Sequence, residues 1–157
     1  MSFAFTGDRQ KRFNALLKIY PDKLSVALPA LHLAQEQEGY LSPETIEALA
    51  EMLDITPASL MDTVSFYTMF HTQPRGKYLL QVCHTLSCSL AGADKIVDHL
   101  SRKYRIKVGE TTENGRFTLL KVECLGSCGT APVIQINDDY YERVSPEKLN
   151  RILDKLP

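Results

Sequence analysis

With 157 residues, 44% of them apolar, and 18 basic against 19 acidic side chains for a net charge of −1, the chain has the composition of a globular protein able to bury a core. Its charges are interspersed, without a Lys/Arg tract or an acidic tail, which excludes the electrostatic footprint of a nucleic-acid binder or of a protein held on an anionic membrane. No apolar run approaches the roughly 20 residues that cross a bilayer, and residues 1–8 lack the basic-then-apolar pattern of a secretory signal, so a cytoplasmic location without direct membrane insertion is expected.

The first half reads as helices. Phe13, Leu16, Leu17 and Tyr20 recur at the spacing of one apolar helix face, and Pro21 ends that segment. A second helix runs to about Gln37 and stops at Gly39; with Ser25 as its N-cap, Pro29 falls at the end of the first turn, where at most one intrahelical bond is lost. Ser42-Pro43 and Thr56-Pro57 repeat one start signal, a hydroxyl cap followed by proline at the first helical position. Ile46, Leu49, Ala50 and Leu53 form the stripe of the third helix, and Leu60, Met61, Val64 and Tyr67 that of the fourth. Short helices with short connections predict a small bundle.

Pro74 and Gly76 break this pattern, and the predicted domains are residues 1–75 and 76–157. Beyond the break Tyr78 to Cys83 reads as a strand, Ser89 to Tyr104 as a helix with Ile96, Val97 and Leu100 on one side, and Phe117 to Cys124 as an alternating strand. Pro132 to Asn137 and Tyr140 to Val144 flank Asp138-Asp139 as a hairpin, and a last helix opens at Ser145-Pro146. This order predicts an α/β unit with a mixed sheet, one crossover making a parallel pair and the hairpin adding an antiparallel one.

All four cysteines fall in two pairs, Cys83-x4-Cys88 and Cys124-x3-Cys128, each pair beginning at the carboxyl end of a predicted strand. Loops at one sheet edge can converge, and four thiolates at one point need a cation or a cluster. Disulfides are uncommon in a reducing compartment, and thiol–disulfide catalysis is disfavoured because no C-x-x-C occurs. Zinc competes, as the ion of a structural interaction module, but it usually takes tight C-x2-C knuckles, whereas loops of four and three residues wrap a larger body such as a [2Fe–2S] cluster, with one pair on each iron. Gly126 and Gly129 beside the second pair allow backbone N–H groups to turn towards cluster sulfurs, and the helix after Cys88 is expected to aim its N-terminus at the same place.

The segments Val82-Cys83-x4-Cys88 and Val122-Glu123-Cys124-Leu125-Gly126-Ser127-Cys128-Gly129-Thr130-Ala131-Pro132-Val133 resemble the thioredoxin-like [2Fe–2S] ferredoxins. More narrowly, with Ala30-Leu31-His32-Leu33-Ala34-Gln35, Gly39-Tyr40-Leu41, Ser65-Phe66-Tyr67-Thr68-Met69-Phe70 and Gly115-Arg116-Phe117, the chain is similar to the family of small iron–sulfur subunits of bacterial NADH–quinone oxidoreductases (complex I). The resemblance implies a thioredoxin-like second domain, one [2Fe–2S] cluster on Cys83, Cys88, Cys124 and Cys128, and no catalytic residue of the chain's own. It also implies a role as an electron carrier on the cytoplasmic side of a membrane-associated complex, beside an FMN-bearing, NADH-oxidising flavoprotein subunit and further iron–sulfur subunits, with the helical half helping to dock. The same module occurs in NAD-dependent formate dehydrogenases and in the diaphorase parts of NAD-reducing or bifurcating hydrogenases. No G-x-G-x-x-G follows a strand here, so FMN and NAD are expected only on the partner.

Other polar and aromatic residues have ordinary readings. His84 is expected to be exposed or to lie behind the ligands, His32 to face a bundle seam and His71 to be structural. The aromatic run Phe66 to Phe70 is expected to fill the core between the halves, Glu123 to add local negative charge, and the Ala131-Pro132 bond to be trans.

Overall fold

The structure, a computed structural model, describes residues 3–157 and divides into two compact units, Met1–Pro74 and Arg75–Pro157. The first contains four α-helices, α1 (Gly7–Ile19), α2 (Ala27–Glu38), α3 (Pro43–Leu53) and α4 (Pro57–Phe66). Both proline start signals act as read: Ser42 accepts the N–H of Thr45 and Thr56 that of Ser59, each at 3.2 Å. Such caps are worth about 0.5–2 kcal/mol each. Gly39, at φ 82°, closes α2 in the left-handed region, its N–H bonded to the Gln35 carbonyl at 2.8 Å.

The entry to α2 differs from the sequence expectation. Ser25 does not cap it; a 3₁₀ turn over Leu24–Val26 precedes the helix, and Asp22 takes both the Ser25 N–H (2.8 Å) and its hydroxyl (3.1 Å). Pro29 is then the third residue of α2, where its missing N–H would have had no helical partner. The core unites Phe5, Phe13, Leu31, Leu41, Leu49, Leu53, Leu60 and Phe70. The stripe of α3 is wholly buried, whereas Leu17, Tyr20, Met61 and Tyr67 are exposed, so the outer helices bury only half of theirs.

Of the aromatic run, Phe70 is buried while Phe66 and Met69 are exposed. His32 is exposed rather than in a seam, with its ring 4.9 Å from that of Phe70. A buried amide holds the segment after α4: Gln35 donates to the Met69 carbonyl at 2.9 Å and accepts the His71 N–H at 2.7 Å.

In the second unit β1 (Tyr78–Cys83), β2 (Phe117–Val122), β3 (Ile134–Ile136) and β4 (Asp139–Tyr141) form one sheet in the order β2-β1-β3-β4. β1 and β2 are parallel, while β1–β3 and β3–β4 are antiparallel, which is the mixed sheet expected. The predicted helix from Ser89 is in fact two, α5 (Leu86–Leu90) and α6 (Ala93–Tyr104), split where Gly92 adopts φ 96°. Apolar periodicity cannot register a two-residue break, Ala91-Gly92, that glycine makes inexpensive. Ala93, Ile96, Val97 and Leu100 of α6 are buried against β1 and β2, and α7 (Pro146–Leu153) packs beside α6.

The hairpin turn lies at Asn137-Asp138, one residue earlier than read, and both strands are shorter. Asn137 takes φ 53° and fixes the turn, its side chain accepting the Leu79 N–H at 2.9 Å and donating to the Lys77 carbonyl at 3.2 Å. The Ala131–Pro132 bond is cis, contrary to expectation. On the outer edge of β2, Gly109 donates to the Leu119 carbonyl at 2.7 Å and Thr111 bridges Thr118, so that edge is covered. Among the described residues no helix is long and apolar enough to cross a membrane.

Gly76 lies against β2, where an added Cβ would stand 2.8 Å from the Phe117 carbonyl carbon and 2.9 Å from its nitrogen. Backbone cannot yield as a side-chain tip does. Gly76→Ala is therefore expected to destabilise the protein by about 1–3 kcal/mol, the usual cost of overpacking, read as a lower urea midpoint at unchanged slope. An unchanged midpoint would contradict this packing.

Candidate metal centre

The parallel register of β1 and β2 sets Cys83 beside Val122, and the ladder extends one step as the His84 N–H bonds the Val122 carbonyl at 3.1 Å. The loops after the two strands therefore leave the same sheet edge. Cys83 is the last residue of β1 and Cys88 the third of α5, both buried; Cys124 follows β2 by two residues and Cys128 opens a 3₁₀ turn over Cys128–Thr130, both exposed. All four are free thiols. Cys124 and Cys128 stand 3.4 Å apart at sulfur, well beyond the roughly 2.05 Å of a disulfide.

The surroundings of the sulfurs are rich in donors. Gly126, at φ 81°, turns its N–H onto the Cys124 sulfur at 3.4 Å, a conformation that side-chain-bearing residues rarely take. The N–H groups of Leu125 and Thr85 point to Cys83 and that of Val133 to Cys88. The Thr85 hydroxyl lies 3.3 Å from the Cys83 sulfur and also bonds Cys124, while Ser87 supplies a hydroxyl to Cys128. The donors on the first cysteine segment come from Thr85, the N-cap of α5, and from Ser87 on α5 itself, rather than from the helix after Cys88 that the sequence suggested, which starts only at Ala93.

These contacts divide the charge within each pair. Burial alone would push Cys83 up, but the hydrogen bonds from Thr85, Leu125 and Cys88 outweigh it and hold its thiol below the ordinary value. Burial pushes Cys88 up, and the neighbouring Cys83 adds to that. In the outer pair the Gly126 N–H, then Cys128 and Thr85, lower Cys124, and its proximity raises Cys128.

Among the described residues no group of three or more His, Cys, Asp and Glu side chains stands where a single ion could be held. Two thiol pairs on neighbouring loops, met by N–H and O–H donors, have the chemistry that would suit an anionic centre with two metal positions and a pair of cysteines for each. Such a centre would supply one-electron redox chemistry.

His84 and Glu123 follow the two strands side by side, His84 Nε2 lying 3.4 Å from Glu123 Oε1, both well exposed. Sequence reasoning missed Thr85 and Ser87, whose only signal was their position inside Cys83-x4-Cys88. It also missed Glu142, for which there was none. Just past β4, Glu142 accepts from the hydroxyls of Ser127 and, at 2.8 Å, Thr130; Arg143 donates its N–H to the Thr130 carbonyl at 2.7 Å. The Cys124–Cys128 loop is clamped from outside.

The sequence model of the thioredoxin-like [2Fe-2S] ferredoxin family matches residues 13–157. This chain belongs to that family. Among relatives of this ferredoxin-family chain, NADH-quinone oxidoreductase subunit 2 of Thermus thermophilus is 43% identical over 152 residues, covering 95% of this chain and 84% of that one. An NADH-quinone oxidoreductase subunit of Rickettsia conorii is 43% identical over 158 residues, covering 99% of this chain and 95% of its own. In fold the family member also resembles a crystal structure of an NAD+-reducing [NiFe]-hydrogenase in the air-oxidized state, with a TM-score of 0.73 at 24% identity over 83% of this chain; it spans only 22% of the hydrogenase chain.

Hydrogen bonds from Ser127 and then Thr130 hold the Glu142 carboxyl below the usual carboxylate range. A lowered value in the folded state means that the clamp contributes above the unfolded carboxylate value and is lost as pH falls through the folded one. Amide hydrogen exchange is expected to show Gly126–Thr130 losing protection only below that range in the wild type, but already at neutral pH in Glu142→Ala. Equal protection in the two proteins at neutral pH would show that the clamp does nothing.

Proposed function

We propose that this chain is the [2Fe–2S] electron-transfer subunit of an NADH–quinone oxidoreductase, with Cys83, Cys88, Cys124 and Cys128 as the cluster ligands. The observation that carries the reading is that the two cysteine pairs stand on loops leaving one edge of the sheet side by side, within a chain whose relatives match it along nearly its whole length. One-electron exchange suits such a site and hydride transfer does not, so the flavin and nicotinamide belong to a partner flavoprotein subunit. Residues 1–75 are the bundle that helps to dock there and residues 76–157 the cluster domain, on the cytoplasmic side of the complex. The chain's own residues bind the cluster, direct N–H and O–H donors at its ligands and bury its inner half; none is asked to move a proton.

The tests are chemical and compositional. Anaerobically purified protein is expected to be coloured, to carry iron and acid-labile sulfide in equal amounts, and to give a spin-half EPR signal on reduction. Zinc without sulfide would sink the proposal. Replacing any one of the four cysteines by alanine should abolish or alter the cluster, and wild-type iron content in such a variant would contradict the ligand assignment. Chains that copurify identify the parent complex: a flavoprotein with quinone-oxidoreductase subunits supports the reading, and a formate dehydrogenase or hydrogenase subunit would replace it.

A further inference from the structure

We infer that Thr85 is a positioning residue whose hydroxyl, set against the Cys83 sulfur, tunes the reduction potential of the centre the thiols hold, an inference that rests on the ligand assignment above. Its place in the fold would ordinarily give it another task. Thr85 occupies the N-cap of α5 with extended backbone angles, φ −73° and ψ 169°. At the corresponding positions of α3, α4 and α7, Ser42, Thr56 and Ser145 each turn a hydroxyl back to accept an N–H of the first helical turn at 3.2 Å. Thr85 makes no such bond. Its hydroxyl lies instead 3.3 Å from the sulfur of Cys83, on the buried pair. Its own N–H is directed at Cys83 as well.

The direction of these bonds follows from the acceptors. A metal-bound thiolate has no proton to give, so the hydroxyl must donate, and the sulfur at 3.3 Å from its oxygen is that of Cys83. Ser87, by contrast, serves Cys128 alone. Threonine is half-buried here, and its β-branch limits the rotamers through which the hydroxyl could turn away to water. Reduction adds one electron and no proton to the centre, so its ligands become more negative, and a donor to them stabilises the reduced state more than the oxidised one. Removing that donor must lower the potential.

Anaerobic redox titration of the full-length, cluster-bearing protein, followed by EPR, tests this with Thr85→Val, Thr85→Ala and Thr85→Ser. The expected result is a midpoint more negative than wild type for the Val and Ala variants and unshifted for Ser, with equal iron and sulfide throughout. A full cluster at the wild-type potential in Thr85→Val, or a Ser variant displaced as far as Val, overturns the proposal. So does loss of the cluster from both Val and Ala variants, which would make the hydroxyl a structural tie rather than a tuning one. Wild-type protein without iron and sulfide is a different failure, that of the ligand assignment itself.

Discussion

Six consecutive residues of β1 stand in parallel register with six of β2, and the final pair sets Cys83 against Val122. Parallel strands send their carboxyl ends to the same edge, so the two cysteine loops, separated by thirty-five residues of sequence, start as neighbours. The register is also what gives the sulfurs their facing. A slip of one residue would turn every side chain of β1 to the opposite face, and would take Cys83 away from the Val133 carbonyl that its N–H now holds at 3.2 Å. The register is defended by the apolar core, since Tyr78, Leu80 and Val82 of β1 and Phe117 and Leu119 of β2 are all buried in it.

On that scaffold the local backbone deals with the problem of gathering negative charge. Thiolates in part-buried surroundings are unfavourable unless donors meet them. Four N–H groups, from Thr85, Leu125, Gly126 and Val133, and two hydroxyls, from Thr85 and Ser87, are directed at the sulfurs. The donors come from both loops and from the segment after the cis proline, so every element at this edge of the sheet takes part. This is why replacing one loop's geometry, for instance at Gly126, would be felt at ligands it does not carry.

The sequence made much of this legible because the decisive signals were chemical and local. Cysteine spacing located the site, and hydroxyl–proline pairs located three helix starts to the residue. Alternation and glycine placement located the strands, although the hairpin turn moved by one position because Asn137, not a glycine, supplies the positive φ. The failures have physical reasons. The sequence starts the helix at Ser89 because its apolar stripe, Ile96, Val97 and Leu100, lies wholly in α6 and carries no information about where the helix begins. Ser25 does not cap α2 because it lies inside the 3₁₀ turn that precedes the helix and its N–H and hydroxyl are both taken by Asp22. Glu142 is distant in sequence from the loop it holds, and such a contact leaves no local pattern to read.

The two halves of the cysteine site are secured by different kinds of structure. Cys83 and Cys88 are fixed by a strand and a helix that belong to the hydrophobic core, whereas Cys124 and Cys128 sit at the surface on a loop held by Glu142 and its hydroxyl partners. One half is a seat, present whenever the domain is folded; the other is a latch, whose opening frees from the core only the partly buried Leu125. Local opening of this kind lies far below global unfolding in free energy. Loading and loss of whatever the thiols hold can then proceed from the outer side on a domain that stays folded, and the lifetime of the occupant is decoupled from the stability of the protein that carries it.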